Sequence, residues 1–448
     1  MTFNEFKELV VAECASLGIA EYELYYQAGS NTSVDTFQHQ INEFSSALAG
    51  GVCFRCIVNG KMGYASTEDL SAAQARTVVE KAMDNAAFLE AEEQVFLGEG
   101  GQEYEPLEDR GYELPTTEEL ISKVLETTEK IYAADPMVID GCQTQGIMES
   151  GEMAIYNSKG LDLHYSYNAT GLVVVGVVSD GKEMSNDYQI KLGKLDQIDV
   201  DKMVNKAVSD AKVKLGGEVA PTGQYPVVFS PEAMCSLLGV YSSVFNSENA
   251  QKGLSKLADC EGQIVAAPCV TLVDDPFHKE NPEPRNFDAE GSPTHKKAVI
   301  ENGVLNTLLY NLKTAAVAGK KTTGNASKAG YDSPVVIHPF TMYLENGTLT
   351  EEELLKKAGN GVYINDLSGL HAGANPISGD FSLQSAGYMI ENGEKTTYVK
   401  SFTVAGNFYE LLKNVDALAN NCQLPMAMGR TAFGSPSVLV NGLSVAGK

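Results

Sequence analysis

The sequence predicts an α+β protein, with an N-terminal mixed α+β domain over residues 1–217 and a C-terminal domain over 218–448 built on a large, mainly antiparallel sheet with a few helices. Three observations carry this. Helical and strand periods alternate through the first half. Asn-Gly turns recur through the second, at Asn302-Gly303, Asn346-Gly347, Asn392-Gly393 and Asn441-Gly442, and both residue types tolerate the positive φ of a type I′ hairpin. Between the halves, Gly216-Gly217 opens a breaker-rich stretch to Gln224, with a helix pattern before it and a strand, Tyr225 to Phe229, after it.

In chain order, Phe3, Phe6, Val10 and Cys14 recur at helical spacing and stop before Gly18, and Glu21 to Gln27 reads as a strand. Two strands flank the Asn59-Gly60 turn, followed by a long helix from about Thr67 to Leu89. Thr116 with Glu119 forms a capping box that starts a helix carrying Leu120, Val124 and Ile131. Strands between about 137 and 195 are divided by turn signals at Glu149–Glu152, Asn157–Gly160 and Ser179–Lys182, and a helix runs from about Val200 to Leu215.

The second half adds a helix over 231–245, with Ser230 as N-cap, Pro231 at its first position and an apolar face including Met234, Leu237, Leu238, Tyr241 and Phe245. Further helices are expected near Thr350–Lys357 and Phe408–Ala419. Residues 366–394 read as a glycine-spaced loop from Gly369 to Gly379, an alternating strand from Phe381 to Ile390, and a turn.

Composition excludes several function classes. Lys+Arg 33 against Asp+Glu 59 gives a formal charge of -26, which repels polyanions and leaves no basic stripe for nucleic acid. The longest nearly unbroken apolar run, Gly171 to Val178, is far below the ~20 residues that span a bilayer. The N-terminus reads as an acidic amphipathic helix start and not as a signal sequence. The expectation is a cytoplasmic protein, with eight reduced cysteines and no membrane partner. Cys53 and Cys56 form the one Cys-x-x-Cys, but on a strand positions i and i+3 face opposite sides of the sheet. No Gly-x-Ser-x-Gly, P-loop or dinucleotide fingerprint is present. Asp274-Asp275-Pro276 with His278 could be a weak metal constellation; a proline-closed turn after a Val270–Val273 strand is the favoured reading.

The segment Asp-Leu-Ser-Gly-Leu-His-Ala-Gly-Ala-Asn-Pro-Ile-Ser-Gly-Asp-Phe-Ser-Leu-Gln-Ser-Ala-Gly from Asp366 to Gly387, and Phe287-Asp-Ala-Glu-Gly-Ser-Pro-Thr294, resemble the TldD/PmbA family of metallopeptidase-related "modulator of DNA gyrase" proteins. The TldD branch carries a helical His-Glu-x-x-x-His and a C-terminal cysteine ligand. None of the six histidines here is followed by glutamate. Counting back without gaps from Lys252-Gly253, the lost motif falls on Leu238, Gly239 and Ser243, none a metal ligand. The same count from Gly434-Ser-Pro436 puts Cys422 at the place of the third ligand, where a lone thiol cannot make a zinc site.

These departures resemble the PmbA (TldE) branch. The resemblance implies a subunit that holds no cofactor of its own and pairs with a TldD-like, zinc-bearing partner to degrade or process unfolded or extended peptides; a homodimer is also expected as a possibility. Two alternatives stay open: an independent peptidase with an unrecognised active site, and a non-proteolytic peptide- or protein-binding modulator. Within the glycine-spaced loop, His371, Asn375, Asp380 and Ser382 are the candidate peptide-binding residues, because glycine admits close backbone approach and an adjoining strand can accept peptide by edge pairing.

Overall fold

The first helix, α1 (Phe3–Leu17), begins where Thr2 and Glu5 close a capping box and ends at Gly18 in the left-handed conformation. The computed structural model describes residues 1–89, 94–108, 112–281, 283–428 and 431–447. After α1 come three long strands, β1 (Glu21–Phe37), β2 (Gln40–Val58) and β3 (Lys61–Thr67), then helices α2 (Ala72–Phe88) and α3 (Thr117–Ala133). β4 (Gln143–Asn157), β5 (Asp162–Ser179), β6 (Met184–Leu192) and α4 (Val200–Val213) complete the N-terminal half. The six strands form one antiparallel sheet in the order β3-β2-β1-β4-β5-β6.

One face of this sheet carries both helix pairs. Leu24, Tyr26, Phe54 and Cys56 pack with Phe6, Val10, Val78 and Val79 from α1 and α2. Farther along the strands, Val34, Leu172 and Val174 pack with Leu120, Val124, Val204 and Val208 from α3 and α4. The opposite face buries Tyr25, Cys53, Ile155 and Tyr165 against Phe287, Ala289 and Ala326 of the C-terminal half. Cys53 and Cys56 thus lie in different cores on opposite faces, as strand alternation requires, and all eight cysteines are free thiols.

The C-terminal half holds two larger sheets. One orders strands Val304–Leu305, Lys297–Glu301, Leu272–Asp274, Thr341–Leu344, Thr431–Ser435 and Gln423–Met428. The other orders Val415–Leu418, Val438–Ala446, Gly223–Phe229, Gly361–Ser368, Asp380–Glu391, Glu394–Asn407 and Glu218–Val219. Parallel pairing is confined to three contacts among them, so the class is α+β with a mainly antiparallel C-terminal part, as expected. Helix α5 (Pro231–Tyr241) packs against strands of both sheets. The core there includes Phe229, Leu237, Leu238, Tyr241, Phe402 and Phe408, with Tyr241 stacked on Phe408 at 4.4 Å.

Several local expectations change. The turn signal at Glu149–Glu152 lies inside β4, because Gly151 serves packing: a Cβ there would come within 2.2 Å of the Tyr167 ring. Asn302-Gly303 and Asn392-Gly393 have the positive φ pairs of type I′ turns, whereas Asn441-Gly442 sits in a bulge within Val438–Ala446. The helix expected to 419 ends at Lys413 and yields to the strand Val415–Leu418.

A buried charged network joins the halves. Arg55 Nε donates to Glu23 Oε1 at 2.7 Å, and Asn157 Nδ2 donates to Glu23 Oε2 at 3.3 Å. Beyond the N-terminal sheet, Asp288 accepts from the backbone N–H groups of Glu290, Ser292 and Ala326, each at 2.9 Å, and Glu290 Oε2 accepts from Leu312 N at 2.8 Å.

Burial pushes the carboxyls of Asp288 and Glu290 upward; Asp288 adds to the shift of Glu290, and the Arg55 guanidinium opposes it. A carboxyl raised in the folded state contributes stability that is full below the unfolded pKa of about 4 and is lost as pH rises toward about 7. Glu290→Gln keeps an acceptor for Leu312 N without the charge. Its thermal midpoint should therefore vary less than wild type between pH 5 and 8, and its stability at pH 8 should exceed that of wild type by about 1–2 kcal/mol. An unchanged pH slope in scanning calorimetry would contradict the assignment.

Candidate functional site

The sequence-selected loop and the helix after β-strand Gly223–Phe229 meet around one cavity. Ser230 Oγ accepts from Ala233 N at 3.1 Å and Pro231 fills the first position, so α5 starts where expected. It stops at Tyr241, and Ser242–Phe245 form a 3-10 turn before the short helix Ser247–Gln251. Facing this turn, the chain leaves strand Gly361–Ser368 through Gly369, forms a single helical turn at Leu370–Gly373, and returns as strand Asp380–Glu391.

The loop is held by its own side chains. Asn375 Oδ1 accepts from Ile377 N at 3.0 Å and Ser378 N at 3.3 Å, and Asn375 N donates to Asp380 O at 2.9 Å. Asn407 Nδ2 reaches both Ser378 O and Asp380 Oδ1 at 2.8 Å, while Tyr241 OH donates to Asp380 O at 2.8 Å from α5. Lys256 Nζ donates to Ser378 O at 2.7 Å. Gly379 has φ +81°, and a Cβ there would come within 2.4 Å of the Tyr409 ring, so glycine is needed for two reasons.

The cavity, about 730 Å3, is lined by Ser243, Asn249 and Leu254 on the helical side, and by Ala372 to Ser378 with Asp380 to Ser382 on the other. Ser243, Asn375, Asp380 and Ser382 are therefore brought together. His371 is exposed on the single helical turn and is not part of the wall. Leu238 is wholly buried in the core, and Gly239 uses its carbonyl to accept from Ser242 Oγ at 3.0 Å. Asn375 spends its side chain on loop closure. The hydrogen bond from Asn407, and then that from Ser378, hold the Asp380 carboxyl below the usual range, so it is ionised at neutral pH.

Cys422 lies next to strand Gln423–Met428, which packs on α5. Its N–H donates to Asn346 Oδ1 at 2.8 Å, and burial pushes its thiol up to about 11. Cys235 on α5 is buried with a thiol pushed well above its ordinary value, and Sγ contacts Gln423 O at 3.9 Å. A metal ligand must be the thiolate. The donor set at Leu238, Gly239, Ser243 and Cys422 does not fit a zinc ion: it offers a single thiol, with one aliphatic side chain, one glycine and a weakly donating hydroxyl in place of the other ligands.

The other constellation is structural. Asp274 ends strand Leu272–Asp274, is fully buried, and accepts from Lys297 Nζ at 3.1 Å, Asn325 Nδ2 at 2.7 Å and Phe340 N at 2.7 Å. Asp275 Oδ1 accepts from Phe277 N at 2.9 Å in the proline turn, and burial lowers the His278 pKa. Among the described residues no three His, Cys, Asp or Glu side chains gather in a metal-binding group. What the cavity offers is hydroxyl and amide hydrogen bonding beside a strand end. The ladder to Gly361–Ser368 stops at Ser368 and Gln384, leaving Asp380–Leu383 beyond it except for a bridge from Ala374 to Phe381.

Comparison with known proteins defines the class. Residues 222–447 match the PmbA/TldA metallopeptidase C-terminal domain, 22–86 match its domain 1 and 112–215 its central domain. The architecture is thus metallopeptidase-like from end to end. The chain belongs to the PmbA/TldD family.

A crystal structure from Thermotoga maritima, described as a candidate modulator of a DNA gyrase, is 30% identical, covers 99% of this chain and 100% of its own, and superposes with a TM-score of 0.90. TldE from Thermococcus kodakarensis shares the fold at 22% identity, over 98% and 99% of the two chains, with a TM-score of 0.88. A metalloprotease PmbA homolog from Haemophilus influenzae is 24% identical over 97% of this chain and 94% of its own. Among the described residues no helix is long and apolar enough to cross a membrane.

Sequence reasoning missed the buried network of Glu23, Arg55, Asp288 and Glu290. Its one signal was the charged, glycine-closed run Phe287–Thr294.

Proposed function

We propose that this chain is a zinc-less subunit of PmbA/TldE type that assembles with a TldD-like metallopeptidase subunit to degrade or process unfolded or extended peptides. The partner supplies the zinc and the bond cleavage. This chain supplies walls of the shared chamber and hydrogen bonds to peptide backbone from Ser243, Asp380 and Ser382 in the cavity. The observation that carries the reading is the helix α5, kept as a core element with fully buried Leu238 where the metal motif would begin. The likenesses to proteins named PmbA homolog and TldE support it.

In the chemistry that follows, the Asp380 carboxylate and the hydroxyls of Ser243 and Ser382 hydrogen-bond and orient the backbone of an extended substrate lying in the cavity. On this reading the chain positions the peptide and leaves bond cleavage to the partner. Mixing the purified chain with a TldD-like subunit should give a co-eluting complex whose peptide hydrolysis exceeds that of either chain alone by at least tenfold. Hydrolysis by this chain alone, abolished by changing its own residues, would replace the reading with that of an independent peptidase.

A further inference from the structure

We infer that the open edge of the N-terminal sheet is a self-association surface, on which β2 pairs antiparallel with β2 of a second copy of this chain about a two-fold axis at Ser46. β2 pairs with β1 along its whole length, but β3 covers its outer side only from Val52 onward. Among the described residues no other strand lies against it. Gln40 to Ala49 are all exposed, with Phe44 at 49% and Leu48 at 87%. A bare sheet edge is usually blunted by lysine, proline or inward-pointing charge. Glu43 to Gly50 carries one carboxylate and no Lys, Arg or Pro. The opposite edge strand, β6, carries both Asp187 and Lys191, and Asp187 pairs with Lys214 at 3.0 Å.

Strand alternation fixes which backbone groups face the open side. Val58 and Lys61 flank the two-residue Asn59-Gly60 turn, so they form a hydrogen-bonded pair, and every second residue back along β2 to Val52 turns its N–H and C=O toward β3. The pairing of β2 with β1 runs without a break from Ile57 to Glu43. Phe44, Ser46, Leu48 and Gly50 therefore point their backbone groups outward where β3 has ended, and their side chains share one face. The regular stretch is bounded at one end by β3 and at the other by the bulge that skips Asn42.

A two-fold pairing must set outward residues against outward residues. The register centred on Ser46 places Ser46 opposite its own copy and Phe44 opposite Leu48 twice, so the two exposed apolar side chains of the stretch cover each other. Glu43 then falls opposite Ala49, and the two Glu43 carboxylates stand the length of Glu43–Ala49 apart, about 20 Å at ~3.4 Å per residue, beyond the Debye length of about 8 Å. Copies of a chain with formal charge -26 repel one another, and this strip brings backbone together with little charge. The surface shares no residue with the loop cavity. The inference goes beyond the proposed chamber function and is measured on the chain alone, so the two can fail separately.

The test is sedimentation equilibrium of the full chain over a hundredfold concentration range, with hydrogen exchange read at both ends of it. A monomer–dimer equilibrium should appear, and the amides of Phe44, Ser46 and Leu48 should gain protection as the dimer fills. Phe44→Lys/Leu48→Lys sets like charges opposite each other and should weaken the dimer at least tenfold, as should Phe44→Glu/Leu48→Glu. Both positions are exposed, so the fold is kept, and an equimolar mixture of the two variants provides the check on register: Lys now faces Glu at each pair, and the mixed dimer should form at least tenfold more tightly than either variant with itself. A chain that stays monomeric throughout, wild-type dimerisation in the Lys variant, or a mixture that fails to associate would overturn the inference. Protection of residues 44–50 that appears only when a TldD-like subunit is added would also overturn it, by assigning the edge to that partner.

Discussion

Arg55→Met should destabilise the protein by about 3–5 kcal/mol, read as a lower urea midpoint at unchanged slope. Glu23 and Arg55 are 1% and 6% exposed. Taking away the guanidinium leaves the Glu23 carboxylate buried with only the Asn157 amide at 3.3 Å, and a buried charge without its counter-ion is costly. The effect should not be confined to the N-terminal sheet. Glu290, in the C-terminal half, is also favoured in its charged form by Arg55, so the variant should lose the contact between halves earlier on heating. The companion Glu23→Leu/Arg55→Met, which removes both charges, should recover most of the loss, because a buried ion pair is worth little net of desolvation. A single-variant cost below about 1 kcal/mol would mean that water reaches this pair.

Leu238→His with Ser243→His should cost about 2–5 kcal/mol and gain no zinc. Leu238 is fully buried among the aromatic and aliphatic side chains of the largest core, and an imidazole there loses apolar packing and is desolvated in an apolar surround. Ser243 lies on the 3-10 turn that follows Tyr241, not on the regular helix, so the two positions are not held in the relation that a continuous helix imposes. Thermal denaturation with and without zinc measures both parts. A zinc-dependent rise in midpoint would show that the helix retains the geometry of a metal site.

The fold class was legible because its strongest signals are local. Capping boxes at Thr116 and Thr350, the Ser230-Pro231 helix start and the Asn-Gly turns at Asn59, Asn302 and Asn392 each declare themselves within four residues, and each forms in the structure. The misread positions are those where tertiary packing sets the residue. Gly151 resembles a turn residue in sequence, yet it is small because Tyr167 lies against it from the neighbouring strand. The C-terminal end of the 408–419 stretch has helix-forming residues, but pairing of Val415–Leu418 with Val438–Ala446 outweighs their preference.

The candidate site divides in the same way. The loop was found from its glycines, and Ser243 joined it only through the count that located the lost motif. The loop's histidine, chemically the most suggestive residue there, is exposed and does not line the cavity, whereas the asparagine that looked like a ligand group closes the loop. A small residue on one strand, such as Gly151 against the Tyr167 ring, means nothing until its cross-strand neighbours are known.

The most direct test of the account is the zinc content of the purified chain and of its complex with a TldD-like subunit, measured by native mass spectrometry alongside peptide hydrolysis. The account predicts no bound zinc in the isolated chain, one zinc per partner subunit in the complex, and hydrolysis only in the complex. Stoichiometric zinc on the isolated chain, lost when Cys422 or His278 is replaced, would contradict it and establish a metal site of this chain's own.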